Sequence, residues 1–207
     1  MYNESFKFLS QKMYKGEIID LLKSIYEHSA WVPERLLSQN ISEIKTKEQL
    51  QLMMQKIVDN ASEIEKLNLI KAHPELGKKL KKQEKLTKFS EEEQKSAGLD
   101  QCSDQEFEIL TKLNNDYRLK FEFPFIIAVR GLSKNQIIDN MKKRVNNSKS
   151  QEFETAINEI HKIAKLRIKD LPYWREKSFL LVIKYGNTND KKIQGNERCN
   201  CYSNHTI

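Results

Sequence analysis

One of the four histidines in this chain has its backbone dictated by its neighbours. In Lys71-Ala72-His73-Pro74-Glu75-Leu76-Gly77 the proline pushes His73 out of the α region, so a helix carrying the apolar pattern of residues 61–72 must stop there. A helix end has unpaired carbonyls and partial negative charge. An imidazole at that point titrates near neutral pH and can face a cavity. Two roles are open for His73: a partner of the helix C-terminus, or a general acid–base.

Two further stretches carry residue types that could serve it. Ser90-Glu91-Glu92-Glu93-Gln94 reads as a capping box, with Ser90 as N-cap and Glu93 reaching back. The alternative is a helix N-terminus whose hydroxyl, carboxylate and amide address one polar ligand. Arg167 falls on the apolar face formed by Phe153, Ile157, Ile160, Ala164 and Leu171. A buried guanidinium needs a partner. It either snorkels to water or aims at a carboxylate in a pocket.

Weaker candidates remain. Arg130 is a second possible anion ligand, and His28 beside Trp31 reads as packing. Cys199, Cys201 and His205 have metal-ligand types but offer three ligands at most. Lys78, Lys79, Lys81, Lys82, Lys85 and Lys88 form a basic run without the interleaved aromatics of a nucleic-acid platform, so it reads as a solvated face.

Helices must position these groups. Only six glycines and four prolines occur in 207 residues, which disfavours a turn-rich β fold. Helical spacing is visible over residues 16–29, 46–60, 61–72, 134–145 and 151–171, with a stripe through Ile64 and Leu67 leading toward His73. Ser103-Asp104-Gln105-Glu106 is a capping box that opens an amphipathic helix through Phe107, Leu110, Leu113, Tyr117 and Phe121. Residues 123–130 differ. Pro124 excludes a helix interior, and the apolar run reads as a buried strand with no second strand to pair with. Its backbone groups must then find side chains, water or a ligand, which makes it a candidate pocket wall.

The expected fold is all-α: one compact multi-helix domain over residues 1–172, with one extended apolar segment, and a mostly irregular C-terminal extension over 173–207. Net charge is +7 and 31% of residues are charged, which permits an anionic partner without specifying one. Three cysteines make no disulfide framework. No apolar run approaches the roughly 20 residues of a membrane helix. No signal peptide is apparent, and His205-Thr206-Ile207 does not match the Ser-Lys-Leu peroxisomal signal.

Five strings, in order, resemble those of one family. Glu27-His28-Ser29-Ala30-Trp31-Val32 is similar to "EHSPWV", and Ala72-His73-Pro74-Glu75-Leu76 to "AHPDL". Ser90-x-x-Glu93-Gln94 followed by Ala97-Gly98-Leu99 is similar to "SxxEQ…AGL". Residues 121–131 are similar to "FGFPFIICVRG", and Ile163-Ala164-x-Leu166-Arg167-Ile168 to "IAxLRL". The family is 2-oxo-4-hydroxy-4-carboxy-5-ureidoimidazoline (OHCU) decarboxylase, and the likeness covers about residues 6–171. The chain departs from these strings at Ala30, Glu122 and Ala128, where the family has Pro, Gly and Cys.

The resemblance implies an all-helical homodimer that needs no metal or organic cofactor and removes CO2 from OHCU to give (S)-allantoin during urate degradation. It implies His73 and Glu93 as catalytic residues. It also implies a substrate-binding set of Pro74, Ser90, Glu91, Glu92, Glu93, Gln94, Phe125, Ile126, Ile127, Ala128, Val129 and Arg167. The partner would be a small anionic ureidoimidazoline, with no nucleic acid and no membrane, in cytoplasm or peroxisome. Two alternatives remain: a non-enzymatic basic helical module that binds nucleic acid through the Lys78–Lys88 face, and a degenerate, inactive family member.

Overall fold

Helix α8 (Lys149–Asp170) is the axis of the structure, a computed structural model that describes residues 15–41, 44–77 and 86–171. Ala156, Ile157, Ile160, Ile163, Ala164 and Ile168 recur at helical spacing along it and are buried. Against it pack α3 (Lys47–Asp59), α4 (Glu63–Ala72) and α6 (Asp104–Phe121). Around these lie α1 (Lys15–Leu22), α2 (Trp31–Leu37), α5 (Lys88–Ser96) and α7 (Lys134–Arg144), with a short 3-10 turn at Leu99–Gln101. The described residues contain helices and no strand, and no described helix is long and apolar enough to cross a membrane. Residues 78–85 and the 173–207 extension, with Cys199, Cys201 and His205, lie outside the described residues.

The helix starts follow from local chemistry. Thr46, Ser62, Ser103, Ser133 and Ser148 each accept a hydrogen bond from the backbone N–H three residues on. The Gln or Glu at that third position returns the bond to the cap's N–H, so all five are complete capping boxes. The stop expected at His73 is also present: α4 ends at Ala72, and His73 has ψ 141°, as the following proline requires.

Three local expectations are corrected. Helix α1 ends at Leu22 rather than running to residue 29, and residues 23–28 turn so that Ile25, Tyr26 and Glu27 all reach the interior. The stripe of α4 does not pass through Ile64, which is 73% exposed; Leu69 and Ile70 are buried instead. Ser90 is not the cap of α5. Thr87 caps it by accepting from Ser90 N–H at 3.2 Å, which leaves the side chains of Ser90 and Glu93 for other partners.

The apolar run is extended, as expected, and pairs with no strand among the described residues. Side chains satisfy it instead: Arg144 Nη1 donates to the Ile126 carbonyl at 2.8 Å, and Ala128 N–H donates to Glu159 Oε2 at 2.9 Å. The Arg144 guanidinium also lies 4.4 Å from the centroid of the Phe125 ring. Behind it, fully buried Glu152 accepts from Arg144 Nε at 2.9 Å, from Arg144 Nη2 and from the Tyr117 hydroxyl. The chain enters this segment through Glu122, which closes α6 in the left-handed region at φ 65°, the conformation that glycine adopts most easily.

Candidate active site

The C-terminal end of α4, the first turns of α5, the extended segment and the last turns of α8 enclose a cavity of about 330 Å³, its mouth included. His73, Pro74, Ser90, Glu93, Gln94, Phe125, Ile126, Ile127, Val129 and Arg167 line it, and Leu76 and Ile163 complete the wall. Three residues of the expected set do not. Glu91 pairs with Lys95 at the surface, Glu92 is exposed, and Ala128 contributes its N–H to Glu159. Arg130 is likewise on the surface, 2.7 Å from Asp170, and His28 is exposed.

His73 is 6% exposed, and its Nδ1 lies 2.9 Å from the Leu69 carbonyl. A carbonyl only accepts, so Nδ1 carries the proton and neutral Nε2 carries a lone pair. Nε2 is buried and has no hydrogen-bond partner among the described residues. Burial pushes the imidazole down to about 4, although the Glu27 carboxylate and the Leu69 carbonyl favour its charged form. The ring is therefore an uncharged base held at the cavity wall.

Gln94 is fixed in a comparable way. Gly77 N–H donates to its Oε1 at 3.2 Å, so Nε2 is a donor with no partner among the described residues. Gly77 is required here twice over: its φ is +71°, and a Cβ would stand 2.7 Å from Leu110 Cδ1. Asn114 Nδ2 holds the same turn by donating to the Leu76 carbonyl at 2.8 Å.

Arg167 resolves the choice between snorkelling and a pocket partner. It is 1% exposed, and each of its five N–H groups has a protein acceptor. Nε and Nη2 form a fork on Glu93 at 2.9 and 2.8 Å. Nη2 also reaches Ser90 Oγ at 3.0 Å, and Nη1 reaches Glu27 Oε2 at 2.7 Å and the Ser24 carbonyl at 2.8 Å. Burial works against the charge, but the Glu93 hydrogen bonds and the Glu27 and Glu93 carboxylates raise its pKa above the ordinary guanidinium value.

Glu27 is the residue that sequence reasoning missed. It is 0% exposed and accepts from Thr87 Oγ1 and Ser90 Oγ, both at 2.9 Å, as well as from Arg167. Burial alone would raise its pKa, but the Arg167 guanidinium and the hydrogen bonds outweigh it and hold the carboxyl below the usual range. The available signal was its place in the Glu27-His28-Ser29 string.

A neutral imidazole base, an amide donor and an arginine-held carboxylate thus face one small cavity on an all-helical scaffold. That arrangement can do acid–base chemistry on a compact polar molecule with its own N–H groups and acceptors. The sequence profile of the OHCU decarboxylase family matches residues 11–169, and the chain belongs to that family. A 2-oxo-4-hydroxy-4-carboxy-5-ureidoimidazoline decarboxylase of Haloferax volcanii is 40% identical over 152 residues, 73% of this chain and 87% of its own length. A uric acid degradation bifunctional protein of Bacillus sp. TB-90 is 40% identical over 160 residues, 77% of this chain and 31% of its own. The crystal structure of an (S)-allantoin synthase superposes with a TM-score of 0.61 at 34% identity, covering 76% of this chain and 50% of that one. A crystal structure of OHCU decarboxylase in the presence of (S)-allantoin shares the fold, with a TM-score of 0.59 at 23% identity.

Proposed function

We propose that this chain decarboxylates OHCU to (S)-allantoin in urate degradation, with His73 as the acid–base group. The observation that carries the reading is the Nδ1–H donation to Leu69, which leaves Nε2 as a base beside Gln94 and Glu93. The substrate ring lies against Phe125, Ile126, Ile127 and Val129, with Pro74 turning the imidazole toward it. Gln94 Nε2 donates to a substrate oxygen. Glu93, held by Arg167, accepts from ureide N–H groups.

The reaction then balances without an added cofactor. The bond from the ring carbon to the carboxylate breaks, CO2 leaves, and the electron pair forms a C=C bond to the neighbouring carbon while the C=N pair shifts onto nitrogen, which takes a proton from solvent. The hydroxyl on that carbon becomes a carbonyl as His73 Nε2 takes its proton. Delivery of a proton to one face of the neighbouring carbon sets the S configuration. We read the active species as a homodimer, on the family likeness alone.

The test uses OHCU generated in situ from urate, with chiral allantoin followed by circular dichroism. Wild type forms the S enantiomer. His73→Asn folds but forms racemate at the uncatalysed rate, and full activity in that variant removes His73 from the mechanism. Glu93→Gln retains a cap, because Thr87 supplies it, and loses rate.

A further inference from the structure

Glu27 occupies a position that is unfavourable on two counts. Its φ is +48°, in the left-handed region that a residue with a side chain rarely adopts, and its carboxylate is fully buried. The surroundings over-determine it. The preceding residue, Tyr26, is anchored by its hydroxyl, 3.1 Å from His161 Nδ1, while His161 Nε2 lies 3.0 Å from Asp59. Thr87 then donates to one carboxylate oxygen, and Ser90 and Arg167 to the other. Ser90 closes the circuit, donating its one proton to Glu27 while accepting from Arg167 Nη2.

We propose that Glu27 is a positioning residue for the decarboxylation that acts through Arg167. It occupies Nη1, so the guanidinium turns its Nε–Nη2 edge to Glu93 and keeps no donor for the carboxylate of the substrate. This rests on the lyase reading above. The physical reason is differential binding. A guanidinium gripping the departing carboxylate stabilises the ground state more than the transition state, in which that charge flows into the ring, and so slows the loss of CO2. Glu27 supplies an internal carboxylate in its place and holds Glu93 in register.

Three measurements test this on wild type and Glu27→Leu, which removes the acceptor at similar size. The first is the kinetic split: kcat falls roughly 100-fold while KM stays level or drops. The second is calorimetric binding of (S)-allantoin and of allantoate, its ring-opened carboxylate. Wild type shows no preference for allantoate, whereas E27L binds it about tenfold more tightly through the freed donor and binds neutral allantoin as before. The third needs no ligand: the guanidinium proton signals of Arg167 are resolved by NMR in wild type, and those of Nη1 broaden in E27L. Unchanged kcat, or lost kcat with unchanged allantoate affinity and unchanged guanidinium signals, overturns the proposal. So does a strong allantoate preference in wild type, which is measurable even where E27L fails to fold. A wild type that makes no allantoin refutes the lyase reading separately, and the NMR result still decides whether Glu27 holds Arg167.

Discussion

The burial of His73 makes stability depend on pH in a way that can be isolated. Its pKa falls from 6.5 to about 4 on folding, so between those values the unfolded chain binds the proton that the native state refuses. Stability therefore rises with pH across that window, is complete above the unfolded value, and is lost as pH falls from about 6.5 toward about 4. One pKa unit corresponds to about 1.4 kcal/mol, so lowering the pH from about 7.5 to about 4.5 removes roughly 2–3 kcal/mol through this residue. Glu27 and His161 titrate on folding too, so a single pH curve mixes several groups. The difference between wild type and His73→Asn cancels those shared contributions. Urea unfolding of both proteins at each pH gives that difference directly. Wild type should lose roughly 2–3 kcal/mol more than the variant over the interval. Parallel curves would mean that His73 titrates normally in the native state, and the uncharged-base assignment would fall with them.

Three other outcomes follow from the structure. The acid limb of kcat/KM for wild type should fall by a decade per pH unit below about 4, well under the range of an ordinary histidine. Arg144→Met leaves the fully buried Glu152 without its cation and the Ile126 carbonyl without its donor, for a loss of about 3–5 kcal/mol in urea unfolding. Adding Glu152→Gln should recover part of that loss. Glu122→Gly relieves a left-handed residue at φ 65° and should raise stability by about 1 kcal/mol, seen as a higher Tm. The Lys149 ion pair lost with it is solvent-exposed and contributes little.

Much of the scaffold was legible before any coordinates. The helix opened by the Ser103 capping box, the stop at His73-Pro74 and the helices around residues 46–60, 134–145 and 151–171 all appear close to where spacing put them. The apolar face of α8 correctly flagged Arg167 as a buried charge in need of a partner. Less was legible at the site. Ser90-x-x-Glu93 fits a capping box by pattern, yet Thr87 is the cap, and both side chains turn to a guanidinium 77 and 74 residues away. Glu27 looked like one more helical residue because its helix ends early, with Tyr26 and Glu27 drawn inward by partners on α8. Ile64 fitted a stripe that the packing of α4 against α8 does not use.

By itself the sequence determined whatever depends on atoms a few residues apart. The Ser103 capping box and the helix stop before Pro74 belong here, because backbone sterics and short hydrogen bonds act over three or four residues. Only the tertiary structure decided that burial disfavours the charged form of His73, that Arg167 has no donor left over, and that Glu27 pairs with Arg167. Charge state and pairing depend on desolvation and on partners delivered by distant elements, and neither has a local pattern to read.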